Sequence, residues 1–115
     1  AKISPNPHLA IARHELHLEL SVLIQEVSRL LKMKGTFFMV YRPERFLELL
    51  DELQAHQLVP KRIRFVYPKP NRQATILLVE AIKQGSAAGF AVDSPLYVMD
   101  EVGNYTPEMR AIIHG

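Results

Sequence analysis

The stretch Gly35-Thr36-Phe37-Phe38-Met39-Val40-Tyr41-Arg42-Pro43-Glu44-Arg45 decides the fold. Its first half, 36–41, is β-branched and aromatic and lacks polar alternation. Such a run fits a strand covered on both faces, as in a parallel sheet. Pro43 then suits the first turn of a helix, where no amide donor is needed. Phe46, Leu49, Leu50 and Leu53 follow at helical spacing, and Pro60 keeps the chain out of helix beyond them. The reading is strand 36–41 followed by helix 43–56.

Downstream, residues 62–67 alternate. Ile63, Phe65 and Tyr67 fall on one face, and Arg62, Arg64 and Val66 on the other. One polar face suggests an edge strand. Residues 75–81 are nearly all apolar, which suggests a central strand. The short turn 68–74 allows a hairpin, so these two strands are antiparallel neighbours. A helix separates 36–41 from 62–67, so that pair is parallel. The expected spatial order is 36–41, 75–81, 62–67, with the basic strand outermost. Residues 84–94 read as a loop and 96–99 as a short strand. Thr106 and Pro107 mark the N-cap and first turn of a short C-terminal helix.

Upstream, Leu16, Leu20, Leu23, Val27 and Leu30 give one apolar stripe, and the expected helix runs over 9–32. Gly35 is its expected stop, with Lys32 and Lys34 at the negative end of the dipole. Residues 1–8 read as a loop.

Composition bounds the rest. At 115 residues the chain is one small domain at most. The absence of cysteine excludes disulfides and thiolate metal sites, and fits a cytoplasmic setting. No apolar run reaches the roughly 18 residues of a spanning helix, and no signal-type stretch opens the chain. The net charge of +2 is too small to argue nucleic acid by itself.

A parallel strand, a helix and a final antiparallel strand inserted inside the edge are the closing elements of the class I S-adenosylmethionine methyltransferase fold. The stretch Ser4-Pro5-Asn6-Pro7-His8-Leu9-Ala10-Ile11-Ala12-Arg13-His14-Glu15 is similar to the one following the active-site motif in bacterial RNA adenine-N6 methyltransferases of the valine-tRNA type. Three later stretches continue the likeness: 39–45, 60–70 and Tyr105-Thr106-Pro107-Glu108-Met109-Arg110. The resemblance covers essentially the whole chain. The family's glycine-rich cofactor motif and its Asn-Pro-Pro-Tyr/Phe signature have no counterpart here, and Asn6-Pro7-His8 is only superficially like the latter.

The expected architecture is therefore α/β. It is a partial Rossmann-like methyltransferase fold, one partial domain over 1–115, with a three-stranded mixed sheet, helices 9–32 and 43–56, and a short terminal helix. The cofactor-binding N-terminal half is expected to be absent. The resemblance implies methyl transfer from S-adenosylmethionine to an exocyclic adenine amine in RNA, tRNA foremost. It carries over no catalytic, cofactor-binding or metal residue, so the chain alone is expected to be inactive and not to bind the donor. A non-catalytic RNA-binding or protein-interaction module, and a methyltransferase for ribosomal RNA or protein, remain alternatives.

Ligands of open α/β sheets sit beyond the carboxyl ends of parallel strands. Lys2, Arg13, Arg42, Arg45, Lys69 and Arg72 are expected at that rim, where cations can neutralise phosphates. Arg13, Arg42, Arg45, Lys69 and Arg72 are the RNA-contact candidates. The alternative is a solvated basic surface, with Arg42 and Arg45 pairing with helix glutamates. Lys61, Arg62 and Arg64 read as charges protecting an edge strand. His14-Glu15-Leu16-His17 lacks the spacing of a zinc-binding His-Glu-x-x-His and reads, with His8, as solvated histidines. Phe37, Phe38, Tyr41 and Tyr67 read as core residues rather than base-stacking ones. Glu44, Glu48, Asp51 and Glu52 read as a solvated helix face.

Without a partner on its other side, strand 36–41 would present a long apolar edge. Self-association across that strand or by exchanged helices is expected. Sedimentation velocity at tens of micromolar should show a dimer, and a clean monomer counts against the expectation.

Overall fold

The computed structural model describes residues 9–13, 19–86 and 88–115. Along the chain run β1 (Leu9–Arg13), α1 (Leu20–Leu30), β2 (Thr36–Tyr41), a 3-10 turn (Pro43–Arg45), α2 (Phe46–Ala55), β3 (Leu58–Tyr67), β4 (Ile76–Lys83), β5 (Ala91–Val92), β6 (Leu96–Tyr97) and α3 (Pro107–His114). The sheet order is β1-β2-β4-β3-β5, with β6 also on β3. β4 is antiparallel to both neighbours, and β1, β5 and β6 pair parallel. The core order read from loop lengths, β2-β4-β3, is the one found.

The sheet is larger than three strands. Residues 9–13 were expected in a helix running to 32, but they form a strand, with Leu9 opposite Thr36 and Arg13 opposite Val40. Leu-Ala-Ile-Ala-Arg satisfies helix propensity and two-residue alternation alike. The free backbone donors and acceptors of β2 decide between them. The expected bare edge on 36–41 is therefore occupied by β1, the terminal strand, and the ground for self-association across 36–41 falls away. Helix α1 runs over Leu20–Leu30, and residues 14–18 of the expected helix, Leu16 among them, lie outside the described residues. Its buried stripe is Leu20, Leu23, Ile24 and Val27, with Leu31 at the cap, while Leu30 is exposed. Leu31 lies about three full turns from Leu20, and Leu30 falls off that line. Lys34, not Gly35, takes the left-handed backbone after the helix, at φ 67°.

At the basic strand the expected edge is also covered. β5 and β6 pair with β3 over two residues each. Strands that short leave no periodicity to read. A register shift between Pro60 and Arg62 admits the proline that a regular central ladder would refuse.

β2 was expected to be buried on both faces, yet it alternates. Phe37, Met39 and Tyr41 are buried, and Phe38 is 38% exposed. The cause is that both helices cover the same face. Leu20, Ile24 and Val27 of α1 and Leu49 and Leu53 of α2 join Phe37, Met39, Leu77, Val79, Ala81 and Ile63 in one core. The opposite face is a shallow depression of 350 Å³ whose lining includes Phe38, Val40 and Leu78, with Arg62, Arg64, Glu80 and Asp93.

Two contacts near the start of β3 hold α1, one to the end of β4 and one to the end of α2. Lys83 Nζ donates to the carbonyls of Ser28 and Leu31 (2.9 Å to Leu31), at the negative end of α1. Ser28 Oγ donates to the His56 carbonyl at 2.7 Å, joining α1 to the end of α2. At α3, Thr106 Oγ1 accepts from the Met109 amide at 3.2 Å, as its N-cap sequence requires.

The asymmetry of the two faces predicts unequal costs for adjacent residues. Phe37→Ala should lower the unfolding free energy by about 3–5 kcal/mol. Phe38→Ala should cost about 1–2 kcal/mol. Urea titrations compare them, and equal losses would contradict the one-sided core.

Asp100 Oδ1 accepts from the amides of Val102, Gly103 and Asn104 at 2.9–3.0 Å. These bonds, Asn104's foremost, hold its carboxyl below the ordinary Asp range. A depressed carboxylate contributes stability above its unfolded pKa and loses it as pH falls through the folded value. The Asp100 carboxyl resonance should therefore titrate at lower pH than in a peptide. Amide protection at residues 102–104 should fall with it, and Asp100→Ala should remove that protection at neutral pH.

Candidate nucleic-acid interface

β1, β2 and β3 run in one direction, so their carboxyl ends share one edge of the sheet. β1 ends at Arg13, β2 at Tyr41 with Arg42 beyond it, and β3 at Tyr67. The β3–β4 loop carries Lys69 and Arg72 at the same edge. Lys2 lies outside the described residues, as do His8, His14 and His17.

The candidates differ in what they already hold. Arg45 is engaged: its Nε and NH2 donate to Glu48 Oε2 and Oε1 at 2.9 and 2.6 Å. Its guanidinium also lies 5.4 Å from the centroid of the Tyr41 ring. The Glu48 bond strengthens the arginine's hold on its proton. Burial raises the Tyr41 phenol pKa, and the charge of Arg45 partly offsets that rise. Arg45 therefore orders the β2–α2 junction, the pairing that sequence reasoning held as its alternative. Arg42 and Arg72 are exposed and Lys69 is half-buried. Among the described residues, no carboxylate forms an ion pair with any of these three.

The 68–75 loop has a defined shape. Thr75 N donates to the Val66 carbonyl at 2.9 Å and closes the hairpin. Asn71 takes a left-handed backbone at φ 63°, which asparagine tolerates better than most residues. One side of the loop lines a 470 Å³ pocket with Lys69, Arg72, Ile76, Val98 and Met99. The other side lines a 330 Å³ pocket with Tyr67, Phe65, Pro43, Glu44 and Gln73. Lys69 and Arg72 thus line one largely apolar concavity at the edge where such sheets bind ligands, and Glu44 lines the other.

The second basic cluster does something else. Arg62 NH2 donates to Asp93 Oδ2 at 2.8 Å, and Arg64 pairs with Glu108 of α3. Lys61 donates to the carbonyls of Ser86, at 2.6 Å, and Ala88. These cations pin Ser86, the 88–94 segment and α3 to β3 instead of guarding a bare edge. Sequence reasoning also missed Tyr97. The parallel pairing of Tyr67 with Tyr97 stacks the two rings, with centroids 5.3 Å apart and an interplanar angle of 28°. The only signal was the aromatic residue inside the short strand at 96–99.

Among the described residues, no group of three or more His, Asp or Glu side chains is placed to hold a metal. No described helix is long and apolar enough to cross a membrane.

The chain matches no family model and no curated protein sequence. Its fold does match solved structures. Over 93% of its length it superposes on a predicted O-methyltransferase, protein Atu636 from Agrobacterium tumefaciens, with a TM-score of 0.75 and 21% identity. Over 68% it superposes on the M1.HpyAVI–SAM complex, with a TM-score of 0.54 and 16% identity. It spans 50% and 43% of those two chains. The architecture is thus a methyltransferase-like α/β fold, represented here by about half the length of the structures it matches.

Proposed function

We propose that this chain is the C-terminal part of an S-adenosylmethionine-dependent methyltransferase that modifies an exocyclic adenine amine in RNA, tRNA foremost, in the cytoplasm. The observation that carries the reading is the antiparallel β4 lying between the parallel strands β2 and β3, in a fold shared with a predicted O-methyltransferase and with M1.HpyAVI bound to SAM. The adenine and RNA parts rest on the sequence stretches that resemble the valine-tRNA family and on the cations of the carboxyl edge, Arg42, Lys69 and Arg72. In the whole enzyme, further elements of the fold would pack on the open sheet face around Phe38, Val40 and Leu78.

The described residues do not fit the methyl donor. Its sulfonium and ammonium outweigh its single carboxylate and leave it net positive, whereas the carboxyl edge presents Arg42, Lys69 and Arg72. Glu44, a carboxylate at that edge, sits between Arg42 and Arg45 in sequence. Among the described glycines, Gly103 alone lies between a strand's carboxyl end, that of β6, and a following helix, α3, and a single glycine there is no glycine-rich loop of the kind that cradles the cofactor. No step of methyl transfer is routed through these residues. Their part is substrate binding: the loop cations meet phosphates, and Arg45 holds the β2–α2 junction in shape.

In calorimetry the chain should give no heat with S-adenosylmethionine. RNA binding should weaken with salt, by a log–log slope of about 0.7 per neutralised phosphate of single-stranded RNA. Lys69→Ala with Arg72→Ala should flatten that slope. A longer chain including whatever coding sequence precedes Ala1, given labelled donor and tRNA, should yield N6-methyladenine in nucleoside digests. Label in ribosomal RNA or protein instead would move the substrate, and label in none of them would remove the enzymatic reading.

A further inference from the structure

Tyr97 and its neighbours form a surface that phosphate neutralisation does not use. β6 adds to β3 in parallel at the carboxyl edge, with Val66 opposite Leu96 and Tyr67 opposite Tyr97. One face of the Tyr97 ring lies against Tyr67, and the residue keeps 37% of its surface exposed. The position is held from several sides. The Tyr97 carbonyl accepts from Thr106 Oγ1 at 2.6 Å. Val98 N donates to the Tyr67 carbonyl at 2.9 Å, and Met99 N to the Pro68 carbonyl at 3.0 Å. The Asp100 turn follows directly and leads into α3. A half-exposed tyrosine on a two-residue strand needs little of this bonding for packing alone.

Val98 and Met99, the residues just beyond Tyr97, line one pocket with Lys69 and Arg72. Tyr67, beneath Tyr97, lines the pocket on the other side of the same loop. A pre-ordered aromatic face at the same sheet edge as Lys69 and Arg72, across the loop from them, suits single-stranded nucleic acid: backbone charge tracks the cations and a base stacks on the ring.

We propose that the Tyr97–Tyr67 pair is a base-stacking platform for an unpaired nucleotide of the RNA whose phosphates meet Lys69 and Arg72. The inference rests on the RNA reading above and adds the contact that tells a nucleotide from a bare polyanion. Tyr97 offers the outer face and Tyr67 the support. The ring matters and its hydroxyl does not, because stacking uses the π-face.

The test uses the 115-residue chain, an oligoadenylate, and an abasic oligonucleotide of the same length and charge. The chain should bind the oligoadenylate more tightly. Tyr97→Leu should weaken that binding roughly 5- to 150-fold, the range for losing one aromatic stacking partner, and leave abasic binding and the salt slope unchanged. Tyr97→Phe should retain the preference. A 2-aminopurine placed in the oligonucleotide should change its fluorescence on binding to the unmodified chain, which reads stacking even if the leucine variant fails to fold. Equal affinity for the base-bearing and abasic oligonucleotides, or an unmoved 2-aminopurine signal, overturns the platform. If the salt slope still depends on Lys69 and Arg72, the RNA surface itself survives that result. Failure of the chain to bind either oligonucleotide overturns both.

Discussion

The structure depends on β4 being hydrogen-bonded along both edges by antiparallel neighbours. Leu77, Val79 and Ala81 project from one side of it into the helix-covered core, fixed in register by Tyr41, Met39 and Phe37 of β2 and by Phe65, Ile63 and Pro60 of β3. A one-residue slip would carry Leu78, Glu80 and Ile82 into that core instead. The cost of burying Glu80 without a partner makes the observed register the only tenable one. Because β4 is shared, the same constraint places β2 and β3 parallel to each other without a direct bond between them.

From that constraint the two ends of the sheet acquire different work. At the amino end of β3, Lys83 on β4 reaches the last carbonyls of α1, and Ser28 joins α1 to the end of α2. Donors there are consumed in holding helices to strands. At the carboxyl end, Arg42, Lys69 and Arg72 have no carboxylate among the described residues to pair with. Exposed ion pairs add little to stability, so leaving these cations unpaired costs the fold little and leaves their charge available to a ligand.

Much of this was legible in the sequence, for physical reasons. The turn 68–74 is too short for a crossover, so β3 and β4 had to be a hairpin. Pro43 and the Phe46–Leu53 stripe announced the helix whose length forces β2 and β3 parallel. What was not legible depended on partners distant in sequence. Leu-Ala-Ile-Ala-Arg becomes β1 because β2 offers a free edge, a fact its own propensities cannot express. Two-residue strands carry no period, so β5 and β6 were read as loop or indistinct strand. Their absence turned β3 into an apparent edge and misassigned Arg62 and Arg64, which the structure pairs with Asp93 and Glu108. Topology alone placed Arg42, Lys69 and Arg72 at the carboxyl edge. The stacking of Tyr97 was not legible, because it comes from standing opposite Tyr67.

The hairpin links fold to function more tightly than proximity would suggest. Since β4 returns antiparallel, the loop joining it to β3 must lie at the carboxyl end of β3, the edge shared by β1 and β2. A parallel β4 would need a crossover of a dozen or more residues, and the short cationic loop at that edge would be lost. β6 obeys the same logic from the other side. By pairing parallel to β3, it delivers Tyr97 to the end where Lys69 and Arg72 stand, whereas an antiparallel β6 would have reversed the direction in which Val98 and Met99 leave the sheet. The backbone pairing that buries Leu77 and Val79 thus also brings charge and aromatic surface to one edge, so a substitution in the core strand can disturb ligand binding without touching a ligand.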